Sequence, residues 1–303
     1  MKKRLNKMWR KIENNKELTL PTLYENKIIN KNSKVCAMGS CFADEMGWAL
    51  RARGVNIGNH GEVEELKHIL YRWGTFFNPK NLADCLERVI NNAWEIEDRH
   101  FAFNDSENVY WYLFMKIRAN SKNLNEVKEK LFEVEQFWKD WLFKSDTIIL
   151  TLGLVEAWID KENGRSWQSF YGNPINSKPY NDLAELKVLS YEECLDSVRK
   201  CINLVSNYGL KKNIIVTVSP IPLEFTFRDI DIIIANRYSK SVLRTVAEQV
   251  TLENKHVNYF PSMEIVTDCV GWPNAYKKDK RHIKVDVFSE KIAPLFIEKF
   301  CDF

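Results

Sequence analysis

Long apolar runs are missing: no window of the 303 residues approaches the ~20 uninterrupted apolar positions of a membrane-spanning helix. The basic start, MKKRLNKMWRKIENNKELTL, also lacks the apolar stretch of a secretory leader. The expectations are therefore no integral membrane segment and a cytoplasmic location. That start reads either as a solvated charged helix or as a basic amphipathic segment lying against an anionic membrane surface. No sign of charge dominates, since 44 Lys and Arg stand against 41 Asp and Glu for a net +3, so no overall field calls for nucleic acid as a partner. CxxC pairs are absent too. The seven cysteines, an odd number, lie mostly in apolar segments such as KVCAMG and ADCLERV. That is the distribution of reduced, buried thiols, and no coherent cluster suggests a metal site. Neither an internal repeat nor a Gly/Ser-rich linker divides the chain, so residues 33–303 read as a single domain behind a basic extension over 1–32.

What is present fits a globular α/β protein: 45% hydrophobic residues, 13% aromatics and a mean hydropathy of −0.37. Five short β-rich stretches, at 33–38, 54–58, 146–152, 213–219 and 256–261, alternate with helical periodicity. This alternation predicts a mostly parallel sheet covered on both faces. The predicted helices span 62–72, 81–94, 121–143, 190–208, 229–252 and 286–301. Ser190 with Glu193 forms a capping box at one start, and Gly209 follows that helix's end. Two insertions interrupt the pattern, near 95–120 and 158–188. The first reads as a two-stranded excursion around Asn104–Asn108, the second as a polar, aromatic, turn-rich loop or hairpin.

In a parallel sheet, chemistry gathers where strands end and helices begin. The stretch VCAMGSCFADEMG sets Ser40 there, after Gly39 and before a helix whose N–H groups suit an oxyanion. Gly-Ser is equally ordinary turn and cap chemistry. Cys41 is the alternative nucleophile, because a thiolate at a helix start has a lowered pKa. A serine nucleophile needs a histidine base oriented by a carboxylate. His60, His68, His100 and His256 read as surface or packing residues, whereas Asp279 stands three positions before His282 in the polar loop YKKDKRHIKVD. On a turn, that spacing lets the carboxylate hold one ring nitrogen while the other faces a nucleophile.

The string GSCFA (39–43) occurs together, and in order, with YRWGTFFNP (71–79), ILTLGLVEAW (149–158), VTVSPIPLEFTF (216–227), NRYSKSVLR (236–244), YFPSMEIVTD (259–268) and DKRH (279–282). With these motifs the chain resembles the GSCFA family, a branch of the SGNH/GDSL-like esterase superfamily, over roughly residues 33–300. The resemblance implies an SGNH-hydrolase-like three-layer α/β/α sandwich with Ser40 as nucleophile and Asp279 and His282 completing the triad. It also implies an oxyanion hole shared by the serine N–H, a glycine of a second motif and an asparagine of a third. Gly74 is the candidate for the second. At the third, Leu154-Val155-Glu156 stands in place of Gly-x-Asn-Asp. Gly153 is then expected to donate its N–H and Glu156 and Trp158 to shape the pocket, and either Asn78 supplies the missing side-chain donor or the oxyanion is held differently. A carboxylate facing an oxyanion would repel it.

Ser219, before Pro220-Ile221-Pro222, is expected either to line the pocket or to sit in a rigid proline turn. Asn236, Ser239, Lys240 and Arg244 share one helix face, suited to an anionic substrate group or to anchoring a neighbouring loop. Trp111, Trp167, Phe170 and Tyr171 suit a sugar platform or the small core of an insertion. The reading as a whole is a serine esterase or O-acyltransferase working on an O-acyl, by resemblance O-acetyl, ester of a carbohydrate through an acyl-Ser40 intermediate. No cofactor or metal is required; acetyl-CoA enters as acyl donor only for a transferase. The partner is a small-molecule or carbohydrate substrate, and the oligomeric state is not indicated. The alternative is a non-catalytic carbohydrate-binding protein of polysaccharide assembly that keeps the SGNH-like shell.

Overall fold

A computed structural model describes residues 20–58, 75–104, 109–115, 117–119, 122–168 and 182–303. The expected helix at 62–72, with His60, His68 and Gly74, lies outside the described residues, as do Phe170 and Tyr171.

The core is a five-stranded sheet built from β2 (Lys34–Gly39), β3 (Asn56–Gly58), β7 (Thr147–Leu152), β11 (Asn213–Val218) and β12 (Val257–Tyr259). Its spatial order is β12-β11-β7-β2-β3, and every pairing is parallel. The five predicted strands are thus all present, each within a few residues of its expected ends. Counted along the chain, the order is 2-1-3-4-5, the doubly wound arrangement whose direction of winding reverses between β2 and β7.

Strand alternation divides the interior into two cores. Cys36 and Met38 of β2, Ile148 and Leu150 of β7, and Ile214 and Val216 of β11 face one side. Val35 and Ala37, Ile149, and Ile215 face the other. Because successive side chains of a strand point to opposite faces, each strand feeds both cores and must be apolar throughout, as TIILTL is. The first core is covered by α2 (Pro79–Asn91), α3 (Leu124–Lys144), α4 (Tyr191–Ser206) and α5 (Ile232–Glu253). The second is covered by α1 (Cys41–Arg51), the segment 262–292 with its two π-helical turns, and α6 (Ala293–Phe300). Three layers result. The Ser190–Glu193 capping box opens α4 in both directions, each side chain accepting from the other residue's amide.

Two small antiparallel sheets hold the insertions. β4 (Phe101–Asn104), β5 (Val109–Tyr112) and β6 (Ile117–Ala119) pair in that order, so the first insertion has three strands rather than the expected two. β8 (Glu156–Asp160) pairs antiparallel with both β9 (Ser166–Trp167) and β10 (Ala184–Val188), so the second insertion takes the hairpin alternative and adds a third strand to it. Trp111 and Trp167 are buried in the first core, and the Trp167 indole N–H donates to Asp160 Oδ2 at 3.1 Å, so neither is a sugar platform. The domain also reaches further toward the N-terminus than residue 33. β1 (Ile29–Asn30) runs parallel to β13 (Cys301–Asp302), Ile29 is fully buried, and the Asn26 and Ile28 amides donate to α6 carbonyls.

None of the seven cysteines is in a disulfide and six are buried. Burial pushes the Cys36 thiol up to about 12, so it is an inert core residue. Among the described residues no helix is long and apolar enough to cross a membrane.

Candidate active site

The reversal point between β2 and β7 is where a doubly wound sheet opens a crevice, since the connections there leave to opposite faces. A cavity of about 160 Å³ lies at this point, with Ser40 after β2, Gly153 after β7 and Ser219 after β11 on its floor. Its walls include Cys41, Phe77 and Leu154, the loop 221–224, and Arg281 with His282.

Ser40 is the N-cap of α1: its Oγ accepts from the Phe42 amide at 3.3 Å and shares a 3.2 Å hydrogen bond with Thr151 Oγ1. Gly39 makes the turn possible. Its φ is +123°, and a Cβ at that position would lie 2.1 Å from the Thr151 carbonyl oxygen. The Ser40 N–H is committed to that same carbonyl at 3.0 Å. Gly153 is equally constrained, since an added Cβ would lie 2.5 Å from Phe77 O and 3.1 Å from Ser40 Cβ. Its own N–H has no hydrogen-bond partner among the described residues.

Asp279 and His282 sit on a short hairpin whose ends are tied by the Tyr276–Ile283 bridge and by the Lys277 amide donating to His282 O. Lys280 closes it with φ +59°, the left-handed conformation of a tight turn. Asp279 Oδ1 accepts from the Arg281 and His282 amides, both at 3.0 Å, while Oδ2 lies 2.6 Å from His282 Nδ1. These bonds, the Arg281 amide first and the imidazole next, hold the Asp279 carboxyl well below the usual carboxylate range. A neutral ring that gives its Nδ1 proton to Asp279 leaves Nε2 as the basic atom. Ser40 and His282 therefore border one cavity, with His282 carrying its orienting acid. The other two described histidines are structural. His100 is buried against Phe114 with its pKa lowered by burial to about 4, and His256 Nε2 is bonded to Ser206 Oγ at 3.2 Å.

The remaining expected site residues separate into two groups. Gly153, Ser219 and Cys41 border the cavity. Asn78, Glu156 and Trp158 do not. Asn78 Oδ1 caps α2 by accepting from the Asn81 amide at 2.8 Å, and its Nδ2 donates to Ser166 Oγ at 3.3 Å. Both ends of that amide are spent on joining α2 to the second insertion, so Asn78 is no replacement for the missing oxyanion donor. Glu156 is fully buried and accepts from Thr226 Oγ1 at 2.6 Å and the Phe227 amide at 3.1 Å. It anchors the loop 219–231 from behind, and Trp158 packs edge-on against Phe227 in that same contact. The carboxylate that would have repelled an oxyanion is turned away from it.

The helix face of Asn236, Ser239, Lys240 and Arg244 is likewise an anchor. Asn236 Oδ1 accepts from the Leu223 amide, Ser239 Oγ accepts from the Val155 amide, and Arg244 pairs with Glu264. Lys240 Nζ donates to the Gly153 carbonyl at 2.7 Å, and burial pulls its pKa down to about 7, opposed by nearby Cys41. Lys240 thus follows the anchoring alternative of that helix face, whereas the Thr151 hydroxyl beside Ser40 is a site feature that the sequence reading missed. Nothing in the sequence pattern marks Thr151, an inner position of an apolar strand.

The fold and site together define a doubly wound α/β protein with a serine, a glycine amide and a carboxylate-held histidine at its sheet-edge crevice. The chain belongs to the GSCFA family, whose profile matches residues 34–294 and thereby takes in the sheet, the crevice and the hairpin. No curated protein matched it.

Proposed function

We propose that the protein is an SGNH-type serine esterase or O-acyltransferase acting on a small O-acyl ester, such as an O-acetyl group of a carbohydrate. The carrying observation is the His282 ring, held by Asp279 at 2.6 Å and bordering the same cavity as Ser40. Ser40 Oγ attacks the ester carbonyl carbon while His282 Nε2 takes its proton. The tetrahedral oxyanion accepts from the Gly153 N–H, near the positive end of α1. Collapse expels the alcohol, which receives the proton from His282, and leaves acyl-Ser40. Water or a sugar hydroxyl then attacks the acyl carbon by the same proton path in reverse.

To react, the serine hydroxyl leaves its N-cap position, a bond of 3.3 Å that is long and therefore weak. The cavity of about 160 Å³ is smaller than the ~300–1,000 Å³ of ordinary ligand pockets, which favours a small acyl group. Cys41 occupies the first position of α1 and stands as the alternative nucleophile.

A fluorophosphonate probe followed by peptide mass mapping tests this reading. Modification at Ser40 that disappears in His282→Ala supports it, modification at Cys41 moves the nucleophile, and an unmodified folded protein overturns it in favour of a carbohydrate-binding role. Acetylated sugars with and without acetyl-CoA then separate hydrolysis from transfer.

A further inference from the structure

A second cavity, of about 460 Å³, opens beside the first and shares Pro222, Leu223, Glu224 and Arg281 with it. Because four wall residues are common to both, an ester seated in the small cavity would have this second cavity directly beside it. Its remaining lining combines an aromatic face with a net positive charge. Trp272 is 43% exposed yet held in place: its ring stacks on Tyr276 with centroids 4.4 Å apart, and the Tyr276 hydroxyl donates to Pro220 O at 2.7 Å. Gly271, at φ +80°, makes the turn that presents it. Ile233, 75% exposed, adds apolar surface at the start of α5.

Of the two carboxylates in the lining, Glu224 pairs with Arg281 at 3.1 Å, while Asp279 is held by the neutral His282 ring and keeps its charge, so the three cations Arg237, Lys280 and Arg281 outnumber the carboxylates by one. Arg237 and Lys280 face the same cavity, are exposed, and form no ion pair among the described residues. In a chain with a net charge of only +3, this local excess is not a property of the whole surface. A flat indole suits the C–H face of a pyranose ring, and a guanidinium with an ammonium suits an anionic substituent.

Resting on the esterase reading, we infer that this second cavity binds the alcohol half of the substrate and that this half is an acidic sugar, with its ring over Trp272 and its negative group between Arg237 and Lys280. The source of selectivity is then charge, and it weakens with salt because both cations are exposed.

Binding of unacylated oligogalacturonate and of a neutral xylo-oligosaccharide of equal length to the wild-type protein, by calorimetry, tests the inference without turnover. The acidic ligand is expected to bind about tenfold more tightly at low salt, with the preference lost near ~0.5 M salt. Arg237→Glu is expected to remove the preference, and Trp272→Ala to weaken both ligands. Equal affinity, a preference that survives Arg237→Glu, or no binding of either ligand overturns it. Fluorophosphonate modification of Ser40 reads the catalytic proposal separately. A modified protein without acidic preference removes only the inference, and an acidic preference in a protein that is never modified removes only the esterase reading.

Discussion

His282 Nδ1 lies 2.6 Å from Asp279 Oδ2 across a turn that Lys280 closes at φ +59°. The acid and base of the proposed triad are thus fixed to one another by three residues of local chain, and the long-range problem reduces to bringing that hairpin over Ser40. The buried Tyr276 and Ile283 do this by packing the hairpin into the second core.

Replacing Asp279 by Asn keeps the shape of the turn but permits the wrong imidazole tautomer. Turnover of p-nitrophenyl acetate is expected to fall about 10²–10⁴-fold with little change in KM. Because its hydrogen bonds hold the Asp279 carboxyl well below the usual range, it stays ionised at mildly acid pH, and the wild-type rate shows no loss near the ordinary carboxylate range that Asp279→Asn abolishes. A rate profile from pH 4 to 9 for both proteins checks this.

Asn78→Ala separates the cap from the oxyanion hole. Loss of the α2 N-cap costs about 1 kcal/mol, read as a lower denaturation midpoint, while turnover is expected to stay near wild type. A fall in kcat of about 10²-fold or more would restore Asn78 as an oxyanion donor.

Gly153→Ala drives a Cβ to within 2.5 Å of the Phe77 carbonyl and 3.1 Å of Ser40 Cβ. Relief requires moving backbone, so the expected cost is about 1–3 kcal/mol of stability, with a larger loss of kcat as the Gly153 amide shifts. Chemical denaturation and steady-state kinetics on one preparation measure the two effects together.

Lys240→Met reports on the buried ammonium. Its folded pKa is lowered from 10.5 to about 7, so between those values the unfolded chain binds the extra proton and wild-type stability rises with pH. The variant lacks that rise. Its stability relative to wild type is expected to decline from pH 7 toward pH 10, which denaturation midpoints across the range measure; a constant difference overturns the assignment.

The five strands of the central sheet, the expected helices that fall within the described residues and the Asp279–His282 contact are legible in the sequence because each rests on short-range rules. Apolar runs such as TIILTL form doubly buried strands, Ser190 and Glu193 cap α4, and Asp279 lies three residues from His282. The first insertion, expected as a two-stranded excursion, gains a third strand, and the second, expected as a loop or hairpin, is the β8–β9 hairpin with β10 added, since β6 and β10 acquire their strand character from partners rather than from their own pattern. Only tertiary structure decided the orientation of side chains whose partners are distant. It spent Asn78 on Asn81 and Ser166, turned Glu156 to Thr226 and Phe227, committed the Ser40 amide to Thr151, and buried Lys240 against Gly153. A polar side chain can satisfy its hydrogen bonds toward a cavity or away from it at similar cost, and only the packed neighbours determine which.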